Sequence, residues 1–294
     1  MTTDPPASAP PRTAVGFPGQ GGDWRAAIGI LGATSDHPLV TALAERLGTD
    51  RWTELDGLDT RNAQPVVYVS GLVGPAATIS GATAVIGHSL GEITGAAWAG
   101  AIDPLVGLDL VVTRAALGHE QHAARAGAMA VIMRVPVAQV EWLRREVLAD
   151  DPGVLDVAVI NSPEQVVLSG DQALVDRSVE LAIERGAVAR HLPIGGAYHS
   201  PLMFGVLDQF RTAVAAAVTG PTRVPLVSST SARVVGDADD LIDVLVRSLV
   251  LPVRWPDAVA ALAELGVDDV IDGGPGDTLV RLGRFLPHPP FRAG

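Results

Sequence analysis

Between residues 84 and 99 the chain runs Ala84-Val85-Ile86, then Gly87-His88-Ser89-Leu90-Gly91, then a stretch of mostly small residues to Ala99. A buried-type strand, a serine flanked by glycines and a helix of small residues leave few folds open. Glycine on either side lets the backbone turn tightly enough to push the Ser89 hydroxyl outward. The helix that follows aims its first amides at the same point, so the Leu90 N–H is placed to hold an oxyanion formed when Ser89 attacks a carbonyl. A bare G-x-S-x-G is common by chance; the strand before it and the helix after it make this one a nucleophile elbow.

The rest of the composition narrows the chemistry. There is no cysteine, which removes disulfides, thiolate nucleophiles and cysteine metal sites together, so the nucleophile must be a hydroxyl and no metal centre is expected. The net charge of -12 excludes nucleic acid or an anionic membrane as a general partner. No apolar run approaches the roughly 18 residues a bilayer requires, and the Pro-rich, polar residues 1–12 do not read as a signal peptide. These features predict a cytoplasmic protein with a flexible leader over 1–12. Lysine is absent, so every basic side chain is an arginine or a histidine. At 294 residues the chain has room for one large core and a smaller module.

Along the chain, residues 14–17 form a short strand that enters the glycine loop Pro18-Gly19-Gln20-Gly21-Gly22. Asp103-Pro104 marks a helix start, and Leu105, Leu108, Val111, Val112 and Ala115 continue it at helical spacing, with Arg114 toward its far end. From 128 to 194 the predicted order is strand, helix, strand, strand, helix, strand, which is that of a ferredoxin-like module. Strands near 224–228 and 269–272 and helices near 241–249 and 256–265 return to the larger body. The expected division is therefore an α/β catalytic domain over 13–126 and 198–294, interrupted by a small domain over 127–197.

A serine hydroxyl needs a base at neutral pH. His37, His119 and His122 lie in polar segments, His88 within the elbow must point away from Ser89, His191 lies in a strand and His288 in the Pro-rich tail. His199 remains, in the turn Gly195-Gly196-Ala197-Tyr198-His199-Ser200-Pro201, where a side chain is easily presented.

Several stretches together carry a family likeness: Phe17-Pro18-Gly19-Gln20-Gly21, Asn62-Ala63-Gln64-Pro65, Gly87-His88-Ser89-Leu90-Gly91-Glu92, Arg114, Gly127-Ala128-Met129, Asn161-Ser162-Pro163, Ala197-Tyr198-His199-Ser200-Pro201-Leu202-Met203, Pro252-Val253-Arg254-Trp255 and Gly274-Pro275-Gly276. In these the chain resembles the malonyl-CoA:acyl carrier protein transacylases and the acyltransferase domains of polyketide synthases over nearly its whole length. The resemblance implies an α/β-hydrolase-like large domain carrying a ferredoxin-like small domain, with the active site between them. It implies a Ser89–His199 pair in which the backbone carbonyl of Ser248, not a carboxylate, orients the histidine. It also implies the Gln20 amide as second oxyanion donor beside Leu90, and Gln64, Asn161 and Tyr198 as substrate-binding residues.

Arg114 bears on substrate class. A malonyl thioester carries a carboxylate that must be buried beside the nucleophile, and a buried anion requires a fixed cation. Arginine's planar fork pairs both oxygens. Coenzyme A thioester as donor, an acyl carrier protein as acceptor, no resident cofactor and a monomeric enzyme of fatty acid or polyketide synthesis are what the resemblance implies. In the family the chain resembles, an aromatic residue before the histidine and a hydrophobic one after the serine accompany malonyl, and Tyr198 and Leu90 fit this, whereas Gly196 and the Tyr198 hydroxyl leave an unusual extender unit open. Arg190, Arg254, Arg281 and Arg284 are candidates, by position, for an arginine patch that an acidic carrier would need. A carrier-protein thioester hydrolase, an idle docking module and a carboxylesterase are the rival readings; Arg114 argues against the first, and no third-member acid stands out for the last.

Overall fold

The structure, a computed structural model, describes residues 11–294. Of the predicted leader, residues 1–10 lie outside the described residues; Arg12 is held by its N–H, which donates to the Asp268 carboxylate at 2.7 Å.

Strand β1 (Thr13–Phe17) is buried after its first residue and runs into the glycine loop. Helices α1 (Trp24–Ala33), α2 (Pro38–Leu47) and α3 (Thr60–Val73) follow, each opened by a side-chain cap from Asp23, His37 and Asp59 in turn. Strand β2 (Ala84–Gly87) and helix α4 (Gly91–Trp98) are the two arms of the elbow. Helix α5 (Pro104–Ala124) starts where predicted, with Asp103 accepting from the N–H groups of Leu105 and Val106 and proline in the first turn.

Then come β3 (Gly127–Met133), α6 (Val137–Asp150), β4 (Leu155–Ser162), β5 (Gln165–Asp171), α7 (Gln172–Glu184) and β6 (Val188–His191), the ferredoxin-like sequence of elements. The chain closes with α8 (Leu207–Ala217), β7 (Leu226–Ser228), β8 (Arg233–Val234), α9 (Ala238–Arg247), β9 (Val253–Arg254), α10 (Trp255–Glu264), β10 (Asp269–Asp272), α11 (Thr278–Gly283) and β11 (Phe291–Ala293).

The large sheet has the order β11-β10-β1-β2-β7-β8 and is parallel except for β8. Its central strands are apolar on both faces because helices cover both. The carboxyl ends of β1, β2, β7 and β10 lie along one edge, and in open α/β sheets that edge is where ligands bind.

The small sheet has the order β6-β3-β5-β4-β9. Alternation along β3 divides its two faces. Ala128, Ala130 and Ile132 pack under α6 and α7 with Leu143, Leu168 and Val175, while Met129 and Val131 turn to the large lobe's core. Strand β9 reaches this sheet from the C-terminal half and pairs in parallel with β4, Val159 opposite Val253. Among the described residues no helix is long and apolar enough to cross a membrane.

At the end of β10 the fully buried Asp272 accepts from the N–H groups of Gly274 (3.2 Å) and Leu279 (2.8 Å), tying α11 to the sheet. Burial, with Asp277 nearby, pushes its pKa up to about 6. A carboxyl whose folded pKa is raised lends stability that is complete at acid pH and is lost as pH rises through that value. The cost of Asp272→Asn, read by denaturant unfolding, should therefore be smaller at pH 8 than at pH 5, by about 1.4 kcal/mol. An equal cost at both values would contradict the assignment.

Candidate active site

Ser89 holds a left-handed backbone, φ 54°, at the tip of the elbow. Such a conformation is strained for a residue with a side chain, and its surroundings must enforce it. A Cβ on Gly91 would strike the Phe17 carbonyl and one on Gly87 the Glu92 backbone, so the turn closes only with glycine at these two places. The Ser89 N–H donates to Ser229 Oγ at 3.3 Å, and that hydroxyl donates to the Glu92 carboxylate at 2.9 Å. Fully buried Glu92 also accepts from Ser228 Oγ (2.9 Å) and the Thr230 N–H (3.0 Å). Burial raises its pKa, and these donors work the other way. The brace under the elbow was not legible in sequence because it joins α4 to residues almost 140 positions away.

His199 also has a left-handed backbone, φ 58°, and its Nε2 lies 2.7 Å from Ser89 Oγ. Its Nδ1 lies 3.0 Å from the Leu251 carbonyl. A carbonyl only accepts, so Nδ1 carries the proton and Nε2 is free to take the one on Ser89. The sequence reading named the Ser248 carbonyl for this role; the structure gives the hydrogen bond to Leu251, with Ser248 the lesser contributor. Ser248 continues α9 at φ -58°, and the Leu251 N–H folds back to the Arg247 carbonyl at 2.8 Å, so the carbonyl turned to the imidazole comes three residues later. Burial above all, and then the Arg114 charge, hold the His199 pKa down to about 3, so the ring is neutral at physiological pH.

Arg114 comes from α5 and is 2% exposed. One terminal nitrogen donates to Gln64 Oε1 at 2.7 Å, the other lies 3.5 Å from Ser89 Oγ, and the guanidinium sits 4.6 Å from the centre of the Tyr198 ring. Its Nε has no partner among the described residues. Burial lowers its pKa, partly opposed by Tyr198 and Glu92. A guanidinium so placed, held by neutral groups next to a nucleophile, is a site for an anion.

Gln64 is fully buried on α3, with Nε2 donating to Gln20 Oε1 at 3.1 Å. Gln20 and Leu90 both line the cleft at Ser89. Leu90 precedes α4 in helical conformation, so its N–H is one of the donors a helix start leaves without an intrahelical acceptor. Asn161, on β4, lines the cleft from the small lobe, and its Oδ1 is 2.9 Å from His88 Nε2. His88 thus points from the elbow to the other lobe, with its ring centre 5.2 Å from that of Trp255 and tilted 60° to it. The cleft encloses about 550 Å³ between the two sheets, with Met129, Val131 and Val159 as an apolar wall and Arg190, Arg281 and Phe285 along it. Of the four arginines singled out, Arg190 and Arg281 line it, Arg281 paired with Asp277; Arg254 lies outside, paired with Asp257, and Arg284 is exposed elsewhere.

The pair at 2.7 Å on a strained elbow is an arrangement that can activate a serine hydroxyl for attack on a carbonyl. Comparison with known proteins agrees. The model of the acyl transferase domain family matches residues 77–283. The malonyl CoA-acyl carrier protein transacylase of Synechocystis sp. is 32% identical over 226 residues, 76% of this chain and 74% of that one. The polyketide synthase GfsA of Streptomyces halstedii is 34% identical over 200 residues, 68% of this chain, which spans only 3% of that protein. The crystal structure of an acyl-carrier-protein S-malonyltransferase from Burkholderia pseudomallei superposes with a TM-score of 0.83 at 30% identity, covering 96% of this chain and 95% of that one. The chain belongs to the acyl transferase domain family.

Proposed function

We propose that this chain moves a malonyl group from coenzyme A, through an ester on Ser89, to the phosphopantetheine thiol of an acyl carrier protein, in fatty acid or polyketide synthesis. The observation that carries the reading is Arg114: a buried guanidinium, hydrogen-bonded to neutral groups and 3.5 Å from the nucleophile, has the charge and reach to hold the malonyl carboxylate. The malonyl transacylase relatives point the same way.

In the first half-reaction the Ser89 proton passes to His199 Nε2 as Oγ bonds to the thioester carbonyl carbon. The oxyanion rests on the N–H groups of Leu90 and Gln20. Collapse breaks the carbon–sulfur bond, and the leaving thiolate of coenzyme A takes the proton from His199. In the second half the phosphopantetheine thiol gives its proton to His199, its sulfur attacks the ester, and Ser89 Oγ leaves and recovers the proton. Coenzyme A enters and leaves as substrate, and no resident cofactor takes part. Gln64 and Tyr198 fix Arg114, and Asn161 fixes the elbow through His88. Arg190 and Arg281 at the cleft suit an acidic carrier. Every group named on the route belongs to this one chain, so the proposed reaction needs no second copy; the enzyme is proposed as a cytoplasmic monomer.

The test is intact-mass measurement of the full chain after exposure to malonyl-, methylmalonyl- and acetyl-coenzyme A. The malonyl increment should form fastest, map to Ser89 and be absent from Ser89→Ala. Acetyl loading at an equal or higher rate would sink the reading.

A further inference from the structure

Thr60 opens α3 and is 3% exposed, and its hydroxyl accepts two hydrogen bonds, from Gln20 Nε2 at 2.9 Å and from the Gly195 N–H at 3.1 Å. The direction of the first is fixed from the far end. Arginine can only donate. Gln64 must therefore present Oε1 to Arg114 and Nε2 to Gln20; Gln20 then presents Oε1 to Gln64 and Nε2 to Thr60. One oxygen thus ends a chain that begins at the guanidinium, and it also fixes the glycine turn four residues before His199.

The hydroxyl is not needed to start the helix, because the Asp59 carboxylate already accepts from the Arg61 N–H at 2.8 Å. A hydroxyl oxygen has two acceptor positions, and both are taken by backbone or side chains that carry the site. Gln20 sits in a loop with three glycines, Gly19, Gly21 and Gly22, closed by the Gly22 N–H to the Gly19 carbonyl at 3.3 Å, and its side-chain bond to Thr60 ties that loop to α3.

We propose that Thr60 is a positioning residue for acyl transfer: its hydroxyl oxygen registers the Gln20 loop against the His199 turn and couples both to the Arg114 carboxylate site. The inference rests on the acyl-transfer reading above for the roles of Gln20, His199 and Arg114.

The experiment is single-turnover acylation of the full chain by malonyl-coenzyme A, followed by intact mass, for the parent, Thr60→Val and Thr60→Ser. Valine keeps the shape and removes the acceptor; serine restores it. Thr60→Val should lower the saturating acylation rate constant about 30-fold with a near-unchanged half-saturating concentration, since a displaced donor costs the transition state more than binding. Thr60→Ser should come back to within about threefold of the parent. A valine variant within about threefold of the parent, a loss confined to half-saturation, or a serine variant as slow as valine would each overturn the proposal.

A second readout separates this from the malonyl reading: the rate at which a fluorophosphonate labels Ser89, which needs the same pair and amides but no malonyl group. If the parent fails to load malonyl while Thr60→Val still slows labelling and Thr60→Ser restores it, the substrate assignment falls and the positioning role stands. Should valine prevent folding, the serine variant and Thr60→Ala carry the same comparison, alanine expected to be slow and serine fast.

Discussion

Arg114→Ala is expected to slow malonyl loading of Ser89 by about a thousandfold and to leave acetyl loading unchanged or faster. Taking away one partner of a buried ion pair typically costs 3–5 kcal/mol, and about 4 kcal/mol corresponds to that factor. The parent guanidinium is 2% exposed and lines the cleft at Ser89, and water entering the space it leaves brings no charge to the malonyl carboxylate. Acetyl has no carboxylate to strand, and truncation leaves it more room. Arg114→Lys should recover only part of the loss, because a point charge cannot reproduce the fork that meets Gln64 and faces Ser89 at once. The measurement is a rate of mass increment for each thioester; equal malonyl rates in parent and alanine variant would remove the dicarboxylate assignment.

His199→Ala should slow acylation of Ser89 by about a thousandfold or more, since the hydroxyl then loses the proton acceptor at 2.7 Å. The pH profile of the parent distinguishes this base from an ordinary imidazole. With a pKa held down to about 3, His199 stays neutral well into acid, so kcat/KM should form a plateau from pH 8 to below pH 5 in place of a decline centred near 6.5. Stability runs the opposite way. The folded pKa is depressed, so the stabilisation is present above about pH 6.5 and drains away as pH falls toward 3, where the unfolded chain takes up a proton the folded one refuses. A kinetic midpoint near 6.5 would contradict a buried base beside Arg114.

The parts of the site legible in sequence were those with local causes. The elbow declares itself in eight residues because glycine spacing, strand and helix are neighbours. The ferredoxin-like module is visible as an order of elements, and the faces of β3 follow from alternation. Helices α1, α2 and α3 went unread. In α3 the proline at 65 punctuates the pattern and lies inside the helix, where its missing N–H leaves the Arg61 carbonyl without its usual i+4 donor; the helix nevertheless runs on and carries Gln64 on a rigid element.

What stayed hidden depends on long-range geometry. Which carbonyl meets His199 is decided by how the backbone turns after α9, and an offset from a motif cannot distinguish Ser248 from Leu251. Thr60 bonds to partners 40 and 135 positions away, and nothing in its neighbours marks it as other than a helix start.

The short strand β9 has a practical consequence for anyone splicing this protein with a relative. Within six residues, 249–254, the chain receives the His199 N–H on Leu249, presents Leu251 to the imidazole, adds a rung to β4 of the small lobe and sends the Arg254 N–H to the Ser229 carbonyl beneath the elbow. The small lobe is therefore not a detachable cassette. A chimera that exchanges residues 127–197 alone would mate a foreign β4 with the native β9 and misalign the base with it, whereas one that carries 249–254 along with the insert keeps the joint intact.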